Sequence, residues 1–504
     1  MRRVARTPAI VIATYAALGL AWAITNAPFA APDEEAHYVR AIGIGNGSLV
    51  GTPAPAYTSH AFDPLQLAWT RQAARAVAIP PGLSPLGVGC EIGGPGMSAA
   101  CSDRAAPNST TTTEITPVGT YEPLPYLLPA ALMRLANHAA GADRLARVAS
   151  LLVWVAMLAI AAAALWDAEA GIAAFAGLMV AISPMAVFIG SSLNGSSLEI
   201  AGSAAFFATL LRLLRGDGSP PRWVWVLAGA AGAALALSRS LGPAWVVADL
   251  AVAAVFAGRA QVIELLRANT RRASFAGAAV LASVALNRIW EAAYGPKLTP
   301  TLVPHRASLS AGGRELMRTL NEVIGNFGYL NVPLSPIVLW AWAAIALALG
   351  IVAIGAANRR GRIALAFAAL VAVGGPIYLF ASVSRLTGFG LQGRHYMPLL
   401  MALPLLAGEL VRRHRERIAA ATLRWLLAVI GIVVGAAQLA AWWTNSHRYA
   451  VGANDPWWFF PHAQWSPPGG WVPWLIVVLA ATLVPIGGGI AMAVSGRGRR
   501  SATQ

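Results

Sequence analysis

Twelve apolar runs of membrane length constrain this chain more than any other feature. They lie near residues 8–26, 146–166, 170–190, 198–214, 223–241, 243–257, 273–290, 336–355, 363–382, 396–411, 423–443 and 471–493. A run of roughly 17–25 apolar residues can cross the hydrocarbon core as a helix, and a helix satisfies its own backbone where no water can. The expectation is therefore an all-α polytopic membrane protein. Composition agrees, since 12% of the residues are charged, about half the share of a soluble domain.

The formal charge of +16 does not point to nucleic acid, because arginine is spread in short clusters between apolar runs rather than gathered in one domain. Arg2, Arg3 and Arg6; Arg212, Arg215 and Arg222; Arg259, Arg267, Arg271 and Arg272; Arg359, Arg360 and Arg362; Arg412, Arg413, Arg415 and Arg417; and Arg497, Arg499 and Arg500 mark candidate cytoplasmic ends. Both termini then face the cytoplasm, which requires an even number of crossings. A thirteenth candidate, 122–138, is interrupted by Pro123, Pro125 and Pro129. It is expected to lie on the outer surface.

The expected layout is one domain over 1–504 in the cytoplasmic membrane. Residues 27–145 form a long first extracytoplasmic loop, 146–493 the remaining bundle, and 494–504 a basic cytoplasmic tail. The loops at 191–197, 291–335, 383–395 and 444–470 fall on the outer side. This layout leaves an inner turn, Trp166-Asp167-Ala168-Glu169, without basic residues and puts Arg134, Arg144 and Arg147 outside. In the first loop, Cys90 and Cys101 flank a Gly-rich turn, which outside the cytoplasm reads as a disulfide.

Pro32-Asp33-Glu34-Glu35-Ala36-His37 sets three carboxylates and an imidazole where the first helix leaves the bilayer. Charges beside hydrocarbon are costly, so such a cluster points to chemistry. If a short helix starts at Pro32, Asp33 and His37 share a face; they could hold a divalent metal such as Mg or Mn, or pair as base and orienting group. A plain N-terminal helix cap is the bland alternative. Three further segments surface on the same side. Ser191-Ser192-Leu193-Asn194-Gly195-Ser196-Ser197-Leu198-Glu199 brings Asn194 and Glu199 within possible reach of the acids. Ser238-Arg239-Ser240 offers a guanidinium suited to a lipid phosphate, and Gly388-Phe389-Gly390-Leu391-Gln392-Gly393-Arg394-His395-Tyr396, with Arg385 just before it, offers glycines and further cations. Turn chemistry and snorkelling are the bland alternatives. The aromatic loops at 326–331 and 442–474 read as interfacial belts.

Five segments, PDEEAHYVRA, YEPLPYLLPA, SPMAVFIGSSLNGSSLE, SRSLGPAW and GFGLQGRHYMPLL, taken in order, resemble those of a bacterial polytopic family known only as a domain of unknown function and grouped with GT-C glycosyltransferases. The resemblance implies a GT-C-like bundle of about twelve helices whose first loop carries surface helices. It also implies a polyprenyl-phosphate sugar donor, a glycan or glycolipid acceptor in the cell envelope, and inversion at the anomeric carbon. Asp33 would then be the base, with Glu34 and His37 beside it, and Arg239, Arg394, His395 and Arg385 would meet the donor phosphate. Asn194, Glu199, Gln392, Tyr396, Tyr121 and Glu122 would line the pocket. Asn194 stands where related enzymes often carry Asp. A transporter or flippase for a lipid-linked saccharide, and a noncatalytic envelope-assembly protein, are the rival classes.

Overall fold

The computed structural model describes residues 6–94, 96–216, 219–297, 305–453 and 456–495. Arg2, Arg3 and the basic tail with Arg497, Arg499 and Arg500 lie outside them. Helix α1 (Arg6–Thr25) leads into a loop carrying α2 (Glu34–Gly45), α3 (Pro64–Ala73) and α4 (Leu127–Met133). There follow α5 (Ala139–Leu165), α6 (Ala176–Ala181), α7 (Pro184–Gly190), α8 (Gly195–Leu213), α9 (Arg222–Ala236), α10 (Gly242–Ala257), α11 (Arg259–Ala268) and α12 (Thr270–Tyr294). After α13 (His305–Gly325) come α14 (Pro336–Ala356), α15 (Arg359–Thr387), α16 (Gly393–Arg413), α17 (Ala420–Val451) and α18 (Trp471–Ser495).

All twelve apolar runs are helical, but by length and apolarity seven helices can cross a membrane, or nine when two bent pairs each count as one span. The remaining three are α8, α9 and α16. α9 is short at 15 residues. α8 opens on Ser196, Ser197 and Glu199, and α16 carries Arg394, Glu409 and Arg412, yet both bury most of their length against other helices. A helix wrapped by protein need not be apolar all round. One bent pair, 171–181 with 184–190, turns by 74°, where Ser183 caps α7 by accepting from the Ala186 N–H at 3.2 Å and Pro184 takes the first helical position. α6 in turn meets α16 at Gly177 and Gly408, where a Cβ on either would run into the other backbone.

Contacts between distant segments sort the helix ends into two groups. At one end, Asp167 pairs with Arg412, Glu169 with Arg415 at 2.7 Å, and Arg215 with Glu409 at 3.1 Å. The acidic turn that seemed to lack basic residues takes its counter-charges from α16 and the segment after it. At the opposite end the long loop folds over the bundle. The loop closes at His138, not at 145, because α5 begins seven residues earlier than the apolar run and takes Arg144 and Arg147 into its first turns. The 122–138 candidate holds only a short 3-10 turn and the seven-residue α4.

Three elements were not legible as such. β1 (Thr52–Pro53), β2 (Arg75–Ile79) and β3 (Thr112–Thr116) form a small antiparallel sheet in the order β1-β2-β3, so the fold is not purely helical. β4 (Asn326–Phe327) and β5 (Val332–Pro333) make a tight hairpin, and α13 fills much of the presumed 291–335 loop. Cys90 and Cys101 are joined in a disulfide 11 residues apart, and that segment is latched to α17 by Arg448, which donates to the carbonyls of Glu91 at 3.1 Å, Gly94 at 3.0 Å and Met97. Replacing both cysteines by serine is expected to loosen this segment by about 2–3 kcal/mol. Faster tryptic cleavage at the exposed Arg104 reads the change.

Candidate functional site

Thr25 ends α1, and the chain reverses through Ala27–Ala31 to reach Asp33, which caps α2 in the left-handed region at φ 61°. A non-glycine residue there is strained unless its surroundings fix it. They do: the Pro32 carbonyl accepts from Asn194 Nδ2 at 3.0 Å and from Arg394 Nη1 at 3.0 Å. The Asp33 side chain makes no capping hydrogen bond, so the cap alternative fails. Its carboxylate instead pairs with Arg394 Nη2. Asp33 is surrounded by protein mass, yet 51% of its side-chain surface is open. That combination belongs to the floor of a cleft.

His37, one turn on, is buried, and its Nδ1 lies 2.7 Å from the Tyr126 hydroxyl. The Tyr126 ring stacks on the imidazole at 5.8 Å. Tyr121 packs on the Arg239 guanidinium at 4.9 Å, so the YEPLPY segment supplies both walls. Arg239 donates to Ser196 Oγ at 2.9 Å and pairs with Glu199 at 3.1 Å, leaving its side chain 17% exposed. Gly195 suits this arrangement, since a Cβ there would press on the Arg239 side chain at 3.0 Å and make it shift slightly. Arg239 and Arg394 both act electrostatically on Asp33 and His37. Burial pushes the Asp33 carboxyl up, but Arg394, His37 and Arg239 outweigh it and hold it below the usual carboxylate range. Burial pulls the His37 imidazole down to about 3, with Asp33 opposing and the two arginines adding to the effect. The cleft therefore presents an ionised carboxylate and a neutral imidazole at pH 7.

Several residues expected to touch a substrate do something else. Glu34 is fully buried, paired with Arg147 at 2.6 Å and accepting from the Ala31 N–H at 3.1 Å and the Leu193 N–H at 2.9 Å. All its lone pairs are directed into protein, so it is a support and not a catalytic acid. Asn194 spends its carbonyl capping α8, where it accepts from the Ser196 N–H, and its amide on Pro32. Glu199 lies behind Arg239 and also accepts from Trp245 Nε1 at 3.0 Å. Arg394 is committed to Asp33 and Pro32, which makes it a positioning residue. His395 accepts from the Gln392 N–H at 3.2 Å in the cap of α16, and Tyr396 is buried in the same helix. Arg385 stands half-buried in the last turn of α15.

Sequence reasoning missed Asp143 and Arg147, whose i,i+4 spacing at the start of an apolar run was a legible signal. They form a fully buried ion pair at 3.0 Å. Arg147 also donates to the carbonyls of Asn26 at 2.8 Å and Ala27 at 2.7 Å, so it holds α1, the Asp33 turn and α5 together. Tyr329, on the β4–β5 hairpin, feels the charges of Asp33, Glu35, Glu34 and Arg394. It borders the acid cluster rather than serving only as an interfacial belt.

The donor set fits a divalent metal poorly. Among the described residues the only group of three His, Cys, Asp or Glu ligand atoms is Cys90, Glu91 and Cys101, and both sulfurs are in the disulfide. Asp33 and His37 offer two atoms, with a guanidinium against the carboxylate.

The profile of the family described as Predicted membrane protein (DUF2142) matches residues 17–403, most of the chain. The chain belongs to this family. That description names a membrane protein and no activity. The DUF2142 match covers Asp33, His37, Tyr121, Tyr126, Asn194, Arg239 and Arg394, and stops before α17 and α18. No curated protein and no solved structure matches.

Glu122 is buried against Asn287, whose Nδ2 donates to it at 2.8 Å and to the Arg239 carbonyl at 3.0 Å. Burial first, then Glu291, pushes its carboxyl up to about 8. The folded chain thus keeps a proton at neutral pH that the unfolded chain, near 4.5, has released. Stability from this group is complete below 4.5 and is lost as pH rises through 8. Glu122→Gln keeps the acceptor oxygen without the titration. Its thermal midpoint is expected to match the parent at pH 5 and exceed it at pH 9.

Proposed function

We propose that this protein is a membrane glycosyltransferase of GT-C type, moving a sugar from a polyprenyl-phosphate donor to a cell-envelope glycan or glycolipid on the extracytoplasmic side. In this reading all twelve apolar runs cross the cytoplasmic membrane and both termini lie inside. The observation that carries it is the open Asp33 carboxylate at the floor of a cleft, between His37 and the two guanidinium groups of Arg239 and Arg394. A prenyl tail dissolves in the bilayer and brings its phosphate and sugar to the membrane boundary, where such a cleft would receive them.

The chemistry is a single displacement. The acceptor oxygen forms a bond to the anomeric carbon as the carbon–oxygen bond to phosphate breaks. The phosphate monoester leaves with the bonding electrons, and the acceptor proton passes to Asp33. Inversion follows from attack on the face opposite the leaving group. Arg239, the more exposed cation, would meet the phosphate as its charge grows, while Arg394 positions Asp33. The neutral His37, held by Tyr126, would offer its other ring nitrogen to a sugar or acceptor hydroxyl. A Mg or Mn ion would need phosphate oxygens to complete its shell, and no step above depends on one.

Analysis of lipid-linked sugars and envelope glycans in a deletion strain tests the reading: one donor should accumulate and one glycan linkage should disappear. Movement of a lipid-linked saccharide across vesicles by the purified protein, without glycosidic product, would replace it with the transporter reading. The rate of transfer is also expected to be flat between about pH 5 and 8, because neither Asp33, held below its usual range, nor His37, at about 3, titrates there. It should fall only as pH drops below the usual carboxylate value of 3.8 and protonates the base.

A further inference from the structure

The disulfide plays no part in the site at Asp33, and it is not sealed inside the protein. Two 3-10 turns, Cys90–Gly93 and Ala99–Arg104, bring its cysteines together. Cys90 is exposed and Cys101 half-buried. Beneath them Glu91 has no accessible surface. Its Oε2 stands 3.8 Å from the Sγ of Cys90 and 3.8 Å from the Sγ of Cys101. Ser102 Oγ donates to that same oxygen at 3.1 Å and accepts from the Gly89 N–H at 3.0 Å, so the carboxyl is held beside both sulfurs. Arg448 and Tyr449 on α17 and Arg147 on α5 face Glu91. Arg448, however, gives its hydrogen bond to the Glu91 backbone carbonyl and not to the carboxyl. Burial pushes the carboxyl above its usual range, against its own amide, Ser102, Arg448 and Arg147.

A disulfide that only staples a loop has no need of a buried acid, and a buried carboxyl is costly to keep. Thiol–disulfide exchange does need one where the leaving sulfur is sheltered, because a thiolate formed beside a carboxylate would be a pair of like charges. We propose that Cys90–Cys101 is an exchange site for an external dithiol, with Cys90 the sulfur attacked and Glu91 the acid that protonates the departing Cys101. The dithiol's thiolate bonds to the exposed Cys90 Sγ as the Cys90–Cys101 bond breaks. The bonding electrons go to Cys101 Sγ, which takes the Glu91 proton. A thiol holds a proton more tightly than a carboxyl, so this transfer runs downhill. The second thiolate of the reagent then attacks its own sulfur in the mixed disulfide and releases Cys90, which is protonated from water. The reagent leaves as a disulfide, oxidised by two electrons, and the protein pair is reduced by two.

The test uses the full chain in nanodiscs, with reduced glutathione as the attacking thiol and rates divided by its thiolate concentration. Alkylation followed by peptide mass spectrometry should find glutathione on Cys90 and the alkyl group on Cys101. At about pH 5 the parent should react about tenfold faster than Glu91→Gln. That advantage should vanish as rising pH ionises Glu91, while the variant's rate per thiolate stays flat. Dithiothreitol should carry the reaction through to two free thiols. Ser102→Ala keeps the acid but releases its Oε2, and should fall between parent and Glu91→Gln; thermal unfolding checks that each variant is folded. Equal rates for parent and Glu91→Gln at every pH would overturn the proposal. So would glutathione on Cys101, or a parent rate no greater than that of oxidised glutathione with the same thiol, which would show an ordinary crosslink. None of these readouts depends on sugar transfer.

Discussion

Asp33→Asn is expected to lower sugar transfer by about 10³-fold, the usual range for losing a general base being 10²–10⁴, while the protein still folds and inserts. The substitution is chosen for its backbone as much as for its charge. Asp33 sits at φ 61°, and asparagine tolerates the left-handed region better than most residues. The clamp on the Pro32 carbonyl by Asn194 and Arg394 therefore survives, and only the proton acceptor is lost. Asp33→Ala would mix the two effects. The measurement is single-turnover transfer in proteoliposomes, alongside thermal unfolding. Activity within tenfold of the parent would remove Asp33 from the base role and leave it as a structural turn residue.

Arg147→Ala should have the largest effect on stability, a loss of about 3–5 kcal/mol, seen as little folded protein after mild solubilisation. The guanidinium is the cation shared by Glu34 and Asp143, both with no side-chain surface exposed. It also fills the carbonyl acceptors of Asn26 and Ala27. Truncation would leave two carboxylates buried without a cation, and desolvated charges left unpaired cost far more than the pair itself gains. Glu34→Gln combined with Arg147→Met removes one charge of each sign and should recover part of the loss. Equal damage from the double and single variants would show that the carbonyl hydrogen bonds, not the charges, hold the turn.

The helices were legible because apolar length is written locally: each of the twelve runs is helical over most of its length, although the 170–190 run, read as unbroken, is bent by 74° at Ser183-Pro184. The boundary of α5 was missed because Asp143 and Arg144 fell in the loop assigned to 27–145, whereas Asp143 is buried against Arg147, which pairs with the distant Glu34. The same non-local dependence explains the site. The segments that gather at Asp33, from Tyr121 to Arg394, could be named from the sequence, but the tasks within them could not. Glu34 and Asp33 are adjacent and chemically alike, and what separates them is a fully buried Arg147 on one side and an open cleft on the other. Tyr329 escaped notice because an aromatic in a loop between spans has a cheaper explanation at the membrane surface.

The pairing of Asp33 with Arg394 joins residues 361 positions apart. During synthesis the acidic turn emerges early and must wait roughly 20–70 s at ordinary elongation rates before its arginine is made. A chain that stops before α16 would keep the hold of Asn194 and Arg147 on the turn but leave the carboxylate without its guanidinium, so truncated products should be inert in the proposed transfer, and the Asp33–Arg394 pair forms only late in translation.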